Sequence, residues 1–294
     1  MKKMIGAFLC LYVTIQSIGQ LKKNEPAIIY GSCTIEQLKA DPYGSWFTSA
    51  YEQYTPDSTT VNQLKKEMSG KWSIRIFFGS WCGDSKRELP RFIKLLTAIS
   101  FPMERVTVIG VGTGDSLYKQ SPGHEEAGQG VFRVPVFIVN NNGKEINRIN
   151  EFPVHSLEKD LQGIFSKQSY SPNYRSFALV QQWLNEGSLL HKNTSIRGLA
   201  EQVRYLVSND HELNSLGYLL IKQAKKEEAL QLFRINYYLY PESSNTASSL
   251  GEGYLLTGDK KQAVGYLEHS ISLNKDPNAL QEILTLLYKA KELK

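Results

Sequence analysis

Cysteine is scarce: three in 294 residues. A chain so poor in thiols is neither a disulfide-stapled miniprotein nor a cysteine-rich zinc module, and it is long enough to bury a core without such staples. Charge of one sign is equally short. Lys+Arg exceed Asp+Glu by 34 − 29 = 5, too mild an excess to argue for nucleic acid as a partner. Beyond the first twenty residues no apolar run approaches the roughly 18 residues of a membrane span. Phosphate loop, nucleophile elbow and dinucleotide fingerprint are all missing, so no cofactor is implied. What remains is ordinary: 41% hydrophobic and 21% charged residues fit a globular chain rather than a disordered or coiled-coil one, and the length suggests about two domains.

The chain opens on a leader. Lys2 and Lys3 precede a charge-free, mostly apolar segment over 4–18, and Ser17 and Gly19 place small residues three and one before a cut at Gln20. This reads as a secretory signal over 1–19, too short for a comfortable span; the alternative is an N-terminal anchor that stays attached. Leu9 is large where a lipoprotein leader carries a small residue before its cysteine. Cleavage removes Cys10, Lys2 and Lys3, leaving Cys33 and Cys82 and an excess of 32 − 29 = 3 positive charges. An exported chain, with the periplasm as its expected compartment, meets oxidising conditions, which gives two remaining thiols chemical interest.

Residues 20–68 read as a helical preamble. Thr34 with Gln37 has capping-box spacing, Pro42 ends that short helix, and Thr60 with Gln63 starts another. Trp46, Phe47, Tyr51 and Tyr54 share a helical face, a stripe more often used for packing than for binding. The period then changes. Buried strands are expected at 72–78, 106–111 and 134–139, a helix at 84–99, a hairpin at Asn142-Gly143 and an amphipathic helix through Leu157, Leu161 and Ile164. This order defines an α/β layer with a mixed sheet over 69–168. Connecting helices follow over 169–208, expected at 183–190 and 196–207. Over 209–294 a period appears: Leu216-Gly217 recurs 34 residues later as Leu250-Gly251, Ala229 as Ala263, and Phe233 is matched by Leu267. A final helix over 278–293 closes the chain.

Gly79-Ser80-Trp81-Cys82-Gly83-Asp84-Ser85 lies where a buried strand turns into a helix. A thiol there faces unpaired backbone N–H groups and the positive end of the helix dipole, and both favour the thiolate. Lys86 and Arg87 add weakly in that direction; Asp84 opposes it if close. Over about 71–165 the chain resembles the thioredoxin family. Trp81-Cys82-Gly83 matches the start of its active-site motif. Pro90 stands where the family kinks the active-site helix, Val134-Pro135-Val136 resembles the cis-proline loop, and the terminal hairpin follows. The resemblance implies Cys82 as the nucleophile, Ser85 as a hydrogen-bond donor to the thiolate, and Trp81, Gly83, Val134 and Pro135 as a groove for protein thiols or disulfides. Two departures stand out. Ser85 replaces the second cysteine and cannot close a disulfide, and Ile76 replaces the family's buried acid, so a two-thiol cycle within the motif is excluded. Cys33 is then a candidate resolving thiol, an external thiol is another, and a third reading has Cys82 sense oxidation as a sulfenic acid. The competing expectation is an inert scaffold that only binds polypeptides.

Two further readings complete the picture. Over 112–130, His124, Glu125 and Glu126 invite a metal reading, but Gly128 leaves the His-Glu-x-x-His pattern incomplete, so no metal site is expected and the loop reads as solvated. The 34-residue period with Leu-Gly, Ala and Pro marks resembles tetratricopeptide repeats, which implies an all-α domain offering a concave surface to a peptide or protein; the alternative is a tail that only stabilises or dimerises the chain.

Overall fold

Residues 27–68, 70–114 and 117–293 are described by the structure, a computed structural model; the leader over 1–19, with Cys10, lies outside them. Aromatic and β-branched residues suit a pleated, buried surface, and the strands follow that chemistry. They are β1 (Gly31–Cys33), β2 (Trp72–Phe78), β3 (Val106–Gly110), β4 (Val136–Asn141) and β5 (Lys144–Asn150). They form one mixed sheet in the order β1-β3-β2-β4-β5, with β2 and β3 parallel and every other pair antiparallel. The Asn142-Gly143 corner has φ of 52° and 76°, the left-handed pair that a tight hairpin needs.

One face of the sheet, through Ile74, Ile76, Phe78, Val108 and Phe137, is covered by α1 (Ile35–Lys39), α2 (Gly44–Gln53), α3 (Ser58–Glu67), α4 (Gly83–Ala98) and α5 (Leu157–Phe165). The opposite face, through Phe77, Ile109, Val136 and Ile138, packs with Val131 and Val134, and Trp81 and Cys82 lean on it. The segment read as a helical preamble also supplies strand β1, which pairs Gly31 with Gly110 and Cys33 with Val108. Three residues are too few for an alternation to show in sequence, and pairing along β3 decides their conformation. The Thr34–Gln37 capping box is present, but α3 is capped by Asp57, whose carboxylate accepts from Thr60 N–H and hydroxyl, rather than by Thr60. The aromatic stripe is packing: Phe47 is buried, and Trp46, Tyr51 and Tyr54 lie half-buried against the same core.

The remainder is helical: α6 (Ser176–Glu186), α7 (Ile196–Val203), α8 (Asp210–Lys222), α9 (Lys226–Leu239), α10 (Ser244–Thr257), α11 (Lys260–Leu273) and α12 (Pro277–Glu292). The helix expected at 183–190 starts earlier and stops at Gly187, whose φ of 68° ends it in a left-handed cap. The 34-residue period has a direct packing cause. A Cβ on Gly217 would lie 2.3 Å from the Phe233 ring, and one on Gly251 2.7 Å from Leu267. Glycine in α8 and α10 therefore lets the next helix seat a large side chain against bare backbone. Ala229 and Ala263 are wholly buried in the same layers. Among the described residues no helix is long and apolar enough to cross a membrane.

Candidate functional site

Strand β2 delivers Gly79 to the head of α4, and the chain turns there through a Cys82 N–H bond to the Gly79 carbonyl at 2.9 Å. Cys82 is the N-cap residue of α4, extended in backbone and half-buried. Its Sγ donates to the Val134 carbonyl at 3.3 Å, directly beside the cis Val134-Pro135 peptide. Trp81 is anchored: Nε1 donates to the Val111 carbonyl at 2.9 Å and the indole stacks on Tyr118 at 6.2 Å. Gly79 is needed for this fold-back, because a Cβ there would sit 2.7 Å from the indole. Trp81, Cys82 and Val134 thus share one apolar cluster, Pro135 is buried next to them, and Gly83 is exposed on the first turn of α4.

Ser85 is fully buried and its Oγ accepts from Gly79 N–H at 3.1 Å. It is turned to the backbone beneath the turn, while Cys82 Sγ is turned to Val134. Asp84 is held at 2.8 Å by Arg87, which also contacts Glu88 at 2.5 Å, so Asp84 carries its own counter-ion and Arg87 is engaged by carboxylates. Ile76 is wholly buried among hydrocarbon. Cys33 is free, as is Cys82, but it packs with the helix-covered face of the sheet whereas Cys82 packs with the opposite one. Burial pushes the Cys33 thiol up to about 12. The fold does not bring the two sulfurs together.

The 112–130 segment is not simply solvated. It folds back on itself, with Gly112 N–H donating to the Gln120 carbonyl and Lys119 N–H to the Gly112 carbonyl. Ser121 is fully buried, its hydroxyl oxygen lies 2.5 Å from a carboxylate oxygen of Glu125 and of Glu126 so that its single proton serves one of the two, and Glu126 is buried too. Lys119 is only 9% exposed, and its Nζ donates to the Phe132 carbonyl at 2.9 Å. Burial lowers this amine to about 8, and the Arg133 charge acts in the same direction; Glu151 and Cys82 act against it. Sequence reasoning missed Lys119, since one lysine in a glycine-rich loop gives no sign that the loop closes over it. On the helical side, a groove of about 610 Å³ runs past Tyr218, Ser249, Glu252, Ile283 and Leu286.

Fold and site thus define a chain with a mixed-sheet domain carrying a half-buried cysteine at a helix cap, followed by a periodic helical region. No family model matches the chain. It is similar to a type IV pilus assembly protein, PilF, of Pseudomonas aeruginosa, 38% identical over 87 residues. That match covers 29% of this chain and 34% of the relative, so the chain spans about a third of the length of the curated relative it matches.

Proposed function

We propose that the chain is an exported, thioredoxin-like thiol–disulfide exchange protein whose tetratricopeptide-like repeats hold a polypeptide partner. The observation that carries this reading is the position of Cys82: half-exposed, at the N-cap of α4, with Sγ against the carbonyl of a cis-proline loop. The order strand, cysteine-capped helix, strand, cis-proline, hairpin, helix supports the family resemblance, and the leader over 1–19 supports export to the periplasm. The 34-residue Gly–large pairing, the open groove on the repeats and the relative named for pilus assembly support protein binding by the helices.

In the exchange step the Cys82 thiolate attacks one sulfur of a partner disulfide. The new Cys82–partner S–S bond forms as the partner's own S–S bond breaks, and the departing sulfur leaves as a thiolate that takes a proton from solvent. Ser85 holds no second thiol and Cys33 lies across the sheet, so an external thiol completes the cycle. It attacks the mixed disulfide, forms a disulfide with the partner's sulfur and releases Cys82 as thiolate. The first half-step needs nothing beyond the cysteine, its helix cap and a bound disulfide.

The test is incubation of the leader-free protein with glutathione disulfide, read by non-reduced mass spectrometry and peptide mapping. A glutathione adduct on Cys82, released by added thiol and lost in Cys82→Ser, is expected. Absence of an adduct on a folded protein overturns exchange chemistry and leaves a polypeptide-binding scaffold.

A further inference from the structure

We propose that Lys119 is a positioning residue for Cys82: its buried ammonium stabilises the negative charge that the sulfur carries as it attacks and leaves. This role rests on the exchange reading above. The geometry is that of one short loop read by two side chains. Phe132 and Val134 lie two residues apart, and their carbonyls receive Lys119 Nζ at 2.9 Å and Cys82 Sγ at 3.3 Å respectively. The loop that carries the amine is held in place. Lys119 is tied by its backbone to Gly112, its Nζ stands 5.2 Å from the Tyr118 ring centre, and Tyr118 stacks in turn on Trp81, the neighbour of Cys82.

The charged and titratable groups around this amine come from every element packed on it. Tyr118 belongs to its own loop, Arg133 to the proline loop, Glu151 to the end of β5, and Cys82 to the head of α4. Glu151 is engaged by Arg133 at 3.5 Å and by the Tyr174 hydroxyl. Arg133 is thereby matched within its own pair, while Cys82 Sγ holds the carbonyl two residues along the same loop from the one that Lys119 holds. A buried lysine is costly unless it meets an acceptor or an anion, and here the backbone supplies one acceptor for three N–H donors. An ammonium on this loop and a negative charge on the attacking sulfur attract each other, so each favours the other's charged form. Burial that brings the amine to about 8 makes that help present below this pH and absent above it.

The experiment measures the rate of Cys82–glutathione adduct formation against pH for wild type, Lys119→Met, Lys119→Gln and Lys119→Arg, with a thermal melt on each to show that it is folded. At pH 7 the Met and Gln variants are expected to react about tenfold more slowly, the scale of one opposite charge nearby; Arg retains most of the rate. The wild-type-to-Met ratio falls toward unity as pH passes above 8, whereas a loss of loop structure alone lowers the rate at every pH. A reactive wild type with folded Met and Gln variants equally fast at pH 7 overturns this role alone. A wild type without any Cys82 adduct overturns the exchange reading and this role together.

Discussion

The two thiols of the described residues differ in what surrounds them. Cys33 packs with hydrocarbon on one face of the sheet, while Cys82 caps α4 on the other, against the proline loop. Lys119 also leaves a thermodynamic mark. Its proton affinity is lower in the folded chain, about 8, than the ordinary lysine value of 10.5. A depressed value means that the unfolded state binds the proton more readily. The folded state is therefore penalised below pH 8, and stability rises as pH climbs from about 8 toward 10.5. Lys119→Met removes that penalty at the expense of one hydrogen bond. It is expected to stabilise the protein by on the order of 1–2 kcal/mol at pH 7 and to flatten this alkaline rise. Urea titrations across pH 7 to 10.5 check it; a variant less stable than wild type at pH 7 contradicts the account. Little of this was legible beforehand. Cys82 announces itself through its flanking tryptophan and glycine, but Lys119 acquires its meaning only when Gly112 and Gln120 close the loop.

At the level of elements, sequence and structure agree where the cause is local. Trp72–Phe78 is a strand because its residue types leave little alternative, and Asn142-Gly143 turns because both residues accept left-handed backbone. They part where a neighbour decides. β1 exists through its register on β3, and the cap of α3 falls on Asp57 because its carboxylate reaches two donors of Thr60. The repeats are legible for another reason: a glycine facing a large side chain must recur together with it. Gly217→Ala pushes a methyl group into the Phe233 ring, 2.3 Å from the added carbon. The α8–α9 pair is then expected to lose about 1–3 kcal/mol, the usual cost of overpacking. A chemical denaturation midpoint unchanged from wild type removes close approach as the reason for the period.

Across the whole molecule, the proline loop is shared between two cores. Val131 and Val134 belong to the cluster beneath Cys82, whereas Phe132 belongs to the helical core, edge-on to Phe177 at 5.2 Å. The next residue, Arg133, lies over the Tyr174 ring at 5.3 Å and pairs with Glu151, and Tyr174 stacks on Phe177 at 4.7 Å. The helical domain thus buttresses the loop whose Val134 carbonyl meets Cys82 Sγ. Phe132→Ala is expected to cost about 3–5 kcal/mol, as for a large aromatic removed from a core. It should also slow Cys82 adduct formation, because the carbonyl that holds Lys119 moves with this residue. A variant destabilised to that extent but with unchanged Cys82 kinetics would show that the repeats and the thiol site are mechanically independent. This joint escapes sequence reading because the segment 131–135 looks like the approach to a strand, and nothing in five residues says that Val131 and Val134 enter one core and Phe132 another.

The most direct measurement is a competition between Cys33 and Cys82 in the folded protein from residue 20 onward. Limiting glutathione disulfide is added at neutral pH and the site of the first adduct is mapped by mass spectrometry. Modification is expected at Cys82 well ahead of Cys33, whose thiol is pushed up to about 12 by burial, with both sites reacting alike once the chain is unfolded. Modification of Cys33 first, or at the same rate in the folded protein, would contradict that expectation.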